Sequence, residues 1–311
     1  MNECTQVDIA LALYNGERWL PDFLASLLAQ THRPWRLIVA DDGSTDGSKA
    51  VLQRYFMDDP QRFVLLERAH VRTGPARAFG DALVQCSAPY IALADQDDVW
   101  LPRKLEVLIA ALRSAQDADV PCLAYSDMEV VDEDLNAISA SWWHHSNTPP
   151  DWSLCLRHSV CQNTVPGCAM MINQALLRCA MPVPADAAMH DWWLLLVALA
   201  NGQVKRSDEA LLRYRRHSGA ATYQYGNSPA ASLRRFLFGR NQLRIEYARS
   251  IGQARALASR LAGQISPDNA ETLRGYIASD TGGWLSKRLA LLKGRFRKST
   301  WLGCLRFYTC V

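Results

Sequence analysis

The sequence predicts an α/β fold: a mostly parallel sheet with helices on both faces, followed by a basic helical extension at the C-terminus. Three observations carry this expectation. Four short apolar runs alternate with helically spaced segments over roughly the first hundred residues, the pattern of repeated βα units. Polar or acidic turns close the first, second and fourth runs, where an open parallel sheet presents its ligand-binding edge. Residues 281–311 carry seven cations among aromatic residues and leucines, and no acid.

The elements follow in order. Residues 7–14 form an apolar run before Asn15-Gly16, and Leu20, Phe23, Leu24, Leu27 and Leu28 then recur at helical spacing. Residues 35–40 read as a second strand, ended by Asp41-Asp42-Gly43-Ser44-Thr45-Asp46-Gly47, with 48–55 helical. Residues 63–66 are a third strand, Gly74-Pro75 opens a helix to about Cys86, and 90–94 are the fourth strand. Beyond it, 102–115 read as a helix and 122–126 as a strand. The stretch 128–150 reads as irregular, and its Trp142, Trp143, His144 and His145 suit a binding loop. Residues 190–200 read as a helix, and 204–206 and 210–214 as short strands. Gly226-Asn227-Ser228-Pro229 is a break, which sets an expected boundary near residue 226 and leaves 227–311 as a helical, basic region.

A chain of 311 residues can bury a substantial core, and its longest strongly apolar stretch, Trp192 to Ala200, is far short of the roughly 20 residues that cross a bilayer. The start has no basic n-region, so a secretory signal is not expected. Nine scattered cysteines without a CxxC pair read as reduced thiols of a cytoplasmic protein. Cys155, Cys161 and Cys168 with His158 match no common zinc spacing. Net charge is +3, and because the last segment holds seven cations, the rest of the chain is mildly acidic. The basic segment suits an amphipathic attachment to an anionic membrane surface, on the inner face of the cell membrane; a helix packed on the body is the alternative. No nucleic-acid module accompanies the basic residues, so no nucleic-acid partner is expected.

The densest chemical signal is Asp95-Gln96-Asp97-Asp98, at the end of the fourth apolar run. Carboxylates this close repel, and each needs solvent, a donor or a cation. A strand-to-helix turn with Asp98 near the N-cap would employ one or two of them. A hard divalent cation holding a diphosphate would employ the cluster.

Several motifs together resemble the nucleotide-binding half of family 2 glycosyltransferases of the GT-A, Rossmann-like fold. They are Leu13-Tyr14-Asn15-Gly16-Glu17, the segment from Val39 to Gly47, and Asp95-Gln96-Asp97-Asp98-Val99-Trp100. The resemblance covers roughly residues 5 to 220 and implies a domain over 1–226, with a nucleotide-sugar half (1–100) and an acceptor half (101–226). It implies nucleotide-sugar contacts from Leu13, Tyr14, Asn15, Glu17, Asp41, Asp42, Arg77, Asp95, Gln96 and Arg216, with Asp41 at the nucleobase. Asp97 becomes the direct ligand of Mg²⁺ or Mn²⁺, and Tyr214-Arg215-Arg216-His217 resembles the motif whose His217 completes the metal or diphosphate site, with Arg215 and Arg216 able to neutralise the leaving diphosphate.

His190-Asp191-Trp192-Trp193 resembles the family's acceptor-site motif, which implies Asp191 as the catalytic base with His190, Trp192 and Trp193 on the acceptor side. A carboxylate at a helix start, shielded by indoles, suits that task. Departures are Ala12-Leu13 where members carry Pro-Thr, and Ala78 where they carry Asn after Arg77. The implied activity is inverting transfer from a nucleotide-diphospho-sugar to a saccharide or lipid-linked acceptor of a surface polysaccharide. The wording of the tetrad and of the His190 motif is similar to rhamnosyltransferase-type members, implying dTDP-rhamnose first and a UDP-hexose second. The alternative is a non-catalytic nucleotide-sugar or membrane-surface binding module on the same scaffold.

Overall fold

The computed structural model describes residues 5–66, 72–115, 117–217 and 240–311. Its first half alternates as expected: β1 (Val7–Leu13), α1 (Leu20–Leu28), β2 (Trp35–Asp41), α2 (Ser48–Tyr55), β3 (Phe63–Leu66), α3 (Pro75–Val84) and β4 (Tyr90–Ala94). These strands lie in the order β3-β2-β1-β4, all parallel. Alternation along β1 builds two layers. Ala10 faces a core shared with Phe79 and Ala82 of α3, whereas Ile9 and Leu11 face one shared with Phe23 and Leu24 of α1.

The second half is mixed. It comprises β5 (Val99–Trp100), α4 (Lys104–Arg113), β6 (Cys122–Val131), β7 (Ala137–Ser139), α5 (Trp142–Ser146), α6 (Leu156–Ser159), β8 (Met170–Asn173), α7 (Gln174–Ala180), α8 (His190–Asn201) and β9 (Gln203–Arg215). The sheet continues from β4 through β8, β6 and β9 to β5, with β7 beside β6. β8 runs antiparallel to both β4 and β6, while β6 and β9 are parallel.

Three expectations of detail are corrected here. β6 continues to Val131, five residues past Ser126, because pairing with β9 carries the polar Ser126-Asp127 step across a register irregularity. The two short strands expected at 204–206 and 210–214 are one strand for the same reason. Part of the expected irregular stretch is ordered as β7 and α5, the latter capped by the Ser141 hydroxyl, which accepts the His144 N–H at 3.2 Å.

Four further helices follow: α9 (Arg240–Arg260), α10 (Pro267–Ala278), α11 (Trp284–Lys293) and α12 (Trp301–Cys310). Tyr247, Ile251, Tyr276, Leu291, Phe296 and Phe307 are buried in the same core as Phe79 and the α8 leucines. The C-terminal region is therefore packed on the body through one side. The expected boundary near 226 lies outside the described residues. No helix of the described residues is long and apolar enough to cross a membrane.

Candidate active site

β1 lies between β2 and β4, so the crevice beyond their carboxyl ends is where the strand order reverses. Leu13 pairs with Asp41, and Leu11 with Ala94, which sets the three following loops on one rim. Those loops are stitched together. The Tyr14 N–H donates to Gln96 Oε1 and the Gln96 amide donates to the Tyr14 carbonyl, both at 2.9 Å. Asn15, left-handed at φ 47°, donates its N–H to Ser44 Oγ and accepts the Thr45 N–H on its side chain. Glu17 accepts the Gly47 N–H at 2.8 Å and donates its own N–H to Asp46 at 3.0 Å. Asn15 and Glu17 thus hold the rim in shape.

Asp41 and Asp42 are both buried and both engaged by protein groups. Asp41 accepts the Ser44 N–H at 3.1 Å and pairs with Lys49 at 3.2 Å. Asp42 accepts the Thr73 N–H and hydroxyl, each at 2.8 Å, and the Gly74 N–H at 2.7 Å, which braces the entry to α3. Gly43 between Asp42 and Ser44 has φ 85°, a conformation that favours glycine. Leu13 is fully buried, and the Arg72 guanidinium stacks over the Tyr14 ring at 4.0 Å.

The tetrad is differently placed. Oxygens of Asp95 and Asp98 and the Cys168 sulfur lie within 4.8 Å of one another. Withdrawal from water, then the charges of Asp97 and Asp191, push the Asp95 carboxyl up to about 7. Burial, then Asp97 and Asp95, push Asp98 well above the usual carboxylate range. Asp98 Oδ1 accepts the Arg215 N–H at 3.2 Å, while Oδ2 is buried with no hydrogen-bond partner of good geometry among the described residues. Asp98 is not an N-cap, since β5 intervenes and α4 begins at Lys104. Asp97 is half-buried, and its Oδ2 meets His217 Nε2 at 2.8 Å, with Trp19 packed 4.9 Å from the imidazole.

Asp191 sits in the first turn of α8, nearly enclosed. Its carboxylate accepts the Trp192 N–H at 2.6 Å and the Gly167 N–H at 3.1 Å, with Asn163 as a further side-chain partner. Burial outweighs these donors and pushes its carboxyl up to about 6. His190 is stacked on Phe79 with ring centroids 3.9 Å apart, and burial drives it down to about 3, so it is a neutral imidazole. The indole N–H of Trp192 donates to the Ser159 carbonyl, and that of fully buried Trp193 to Ala180, turning Trp193 toward the core.

The structure therefore gathers Asp95, Asp97, Asp98, Asp191 and His217 at one place, with Gln96 bound to the first loop. Arg216 approaches His145 at 3.2 Å on the α5 side. Arg77 is exposed in the first turn of α3. One expected role in the cluster is corrected, that of Arg215, and one residue, Lys104, had none assigned from sequence. Arg215, grouped there with the diphosphate-neutralising motif, is buried: it donates to the Asp97 carbonyl at 2.9 Å and the Glu133 carbonyl at 2.7 Å, and pairs with Asp22 at 2.7 Å. It clamps the tetrad rather than facing the crevice. Lys104 is fully buried over Trp100, donates to the Cys168 carbonyl, and is pushed down to about 8 by burial. No periodicity marked either residue, since each sits in an ordinary charged helix or strand position.

The donor set fits a hard divalent cation. Carboxylate oxygens and one imidazole suit Mg²⁺ or Mn²⁺, and the burial and neighbouring charges that push the Asp95 carboxyl up are what a bound cation would offset. The Cys168 thiol, driven well above its ordinary value by burial, offers no thiolate.

The sequence pattern described as Glycosyl transferase family 2 matches residues 8–177, more than half of the chain. EpsE of Bacillus subtilis (strain 168) is 33% identical over 112 residues, 36% of this chain and 40% of that protein. The Escherichia coli UDP-Glc:alpha-D-GlcNAc-diphosphoundecaprenol beta-1,3-glucosyltransferase WfgD is 33% identical over 106 residues, 34% of this chain and 40% of its own. The chain's match thus spans about two fifths of these relatives. Among solved structures, S. aureus TarS 1-349 in complex with UDP-GlcNAc superposes with a TM-score of 0.58 at 16% identity, over 98% of this chain and 90% of that one. The mannosyltransferase PcManGT from Pyrobaculum calidifontis, in complex with GDP-Man and Mn²⁺, gives 0.53 at 17% identity, over 94% and 80%. These likenesses bear on the fold, which is GT-A. With the matched pattern running from β1 into α7, the chain belongs to glycosyl transferase family 2.

Proposed function

We propose that the protein is a metal-dependent, inverting glycosyltransferase that moves a sugar from a nucleotide-diphospho-sugar to a hydroxyl of a saccharide or lipid-linked acceptor in surface polysaccharide synthesis. The observation that carries this reading is the meeting of Asp97 and His217 at 2.8 Å beside Asp95, with the charge of Asp191 reaching the same carboxylate. Asp97, His217 and Asp95 would hold Mg²⁺ or Mn²⁺. A bound cation would offset the negative charge of the leaving diphosphate.

The chain's own residues supply the rest. Asp41 and the Tyr14 loop receive the nucleoside, with Leu13 and Asp42 shaping that wall, and Arg77 and Arg216 are the cations assigned to the diphosphate. Asp191 takes the acceptor O–H proton. The acceptor oxygen then bonds to the anomeric carbon while the bond from that carbon to the diphosphate oxygen breaks, and the nucleoside diphosphate leaves with the electron pair. Attack from the face opposite the leaving group inverts the configuration. A carboxyl near 6 is ionised at neutral pH yet basic enough to accept a proton. WfgD, matched over 40% of its length, carries a UDP-Glc donor and a diphosphoundecaprenol acceptor in its name, which supports a UDP-hexose here. dTDP-rhamnose remains the first donor drawn from the motif wording.

Release of nucleoside diphosphate from a panel of dTDP-, UDP- and GDP-sugars, with Mn²⁺ and with chelator, tests the reading. Cation-dependent turnover of one donor is the expected result. Tight donor binding with no turnover, whatever the acceptor, would instead make the chain a binding module.

A further inference from the structure

The α11–α12 surface is unlike the rest of the molecule. Of the thirteen large apolar side chains that stand exposed among the described residues, seven lie between Trp284 and Leu305. Leu285, Leu289 and Leu292 recur at i, i+4 and i+7, so they form one stripe along α11, with 62%, 49% and 53% of each exposed. On α12, Trp301 stands 75% exposed beside Leu302 and Leu305. The opposite sides of both helices are filled by Leu291 and Phe307, so exposure here is not the result of loose packing. Contiguous exposure of this kind marks a contact surface.

The charges beside it select the occupant. Lys293, Arg295 and Arg297 are exposed in and just after the end of α11, and the whole segment 281–311 has no acid to oppose them. A protein partner with an ordinary mixed surface would meet uncompensated positive charge. An anionic phospholipid surface meets the leucines and tryptophans with acyl chains and the cations with headgroups. We infer that α11 and α12 form an interfacial docking surface for an anionic phospholipid membrane.

The surface is tied to the acceptor side of the site. Between the two helices, Lys298 donates to the Cys161 carbonyl, the Ser299 N–H donates to Gln162 Oε1 at 2.9 Å, and the Gln162 amide donates to Ser299 Oγ at 3.1 Å. Asn163, next in the chain, is the side-chain partner of Asp191. Docking would therefore bring the membrane to the flank where a lipid-linked acceptor must enter. That consequence rests on the proposed transfer; the docking itself does not.

Cosedimentation of the full chain with vesicles of phosphatidylcholine plus phosphatidylglycerol, and with phosphatidylcholine alone, tests the inference. Expected is pelleting with the anionic vesicles that weakens as salt is raised. A Leu285→Ser, Leu289→Ser, Trp301→Ser, Leu302→Ser variant should stay in the supernatant with an unchanged melting temperature. Lys293→Gln and Arg295→Gln should each lower partitioning by roughly fivefold. Equal pelleting with both vesicle types, or pelleting of the four-fold serine variant like wild type, would overturn it. So would a concentration-dependent dimer in sedimentation velocity that the serine variant abolishes, because a second copy would then cover the face. Transfer to a soluble acceptor, assayed alongside, separates failure of docking from failure of the catalytic reading.

Discussion

Two acidic clusters stand at the carboxyl ends of the parallel strands β2 and β4, which flank β1, and they are satisfied in opposite ways. Asp41 and Asp42 after β2 are met by Lys49 and by N–H and O–H donors of Ser44, Thr73 and Gly74. Asp95, Asp97 and Asp98 after β4 have fewer partners: His217 meets Asp97 and the Arg215 N–H meets Asp98 Oδ1, while Asp98 Oδ2 is left without one among the described residues. Their nearest cations are half-committed: Arg215 spends its guanidinium on Asp22 and two carbonyls, and Lys104 is driven down to about 8. The first cluster is complete as protein. The second carries an excess of negative charge, which a bound proton or cation would offset.

The largest effect that would sharpen this contrast is expected for Asp97→Asn. The amide keeps the shape and the His217 contact but loses the charge, so transfer should fall by roughly 10³-fold or more in line with loss of cation stabilisation. Melting in the presence of chelator should be unchanged. Normal turnover by this variant would remove Asp97 from the metal site.

Next in size, Asp191→Asn should lower transfer by about 10²- to 10⁴-fold while leaving donor binding intact, since its contacts lie with Trp192, Gly167 and Asn163 rather than with the nucleotide loops. The wild-type rate should fall as pH drops through about 6, because protonation of this raised carboxyl removes the base. A pH profile of the residual rate of Asp191→Asn should lack that limb. Equal losses of rate and donor affinity would make the residue a donor ligand or a structural cap.

The stability comparison is smaller and tests the two clusters against each other. Asp42→Ala strands three donors and should cost about 3 kcal/mol in chelator-treated protein. Asp98→Asn should cost little or even stabilise. The sign follows from linkage: its folded-state carboxyl is raised, so its contribution to stability is full below the unfolded value near 4 and is lost as pH rises through the folded value. Asparagine mimics the protonated form, and denaturant titration at neutral pH reads the difference. A large loss at Asp98 with none at Asp42 would reverse the contrast.

What could be read without coordinates follows the range of the interactions. β3 and β4 fall at the bounds their apolar runs indicate, and the tetrad and the His190 motif stand out as local strings. Everything set by distant pairing was hidden. β8 is four residues long and follows irregular chain, so nothing in Met170–Asn173 announces an antiparallel partner for β4. The Ser126-Asp127 step looks like a strand end, and only β9 carries the strand past it. Gly167 and Asn163 reach Asp191 from the segment before β8, where a single 3-10 turn over Gly167–Ala169 is too short to leave a periodic signal. Arg215 reads as a diphosphate cation beside Arg216, yet strand alternation turns it inward.

If the Asp95–Asp98 cluster holds a cation for a nucleoside diphosphate, nucleotide affinity must depend on that cation and on Asp97. Calorimetric titration of UDP, dTDP and GDP into metal-free wild type and Asp97→Asn, each with and without Mn²⁺, tests it most directly. One nucleotide is expected to bind wild type at least tenfold more tightly with Mn²⁺ than without, and Asp97→Asn to lose that gain while keeping the weak metal-free affinity. Nucleotide binding to wild type that is indifferent to Mn²⁺ would contradict it.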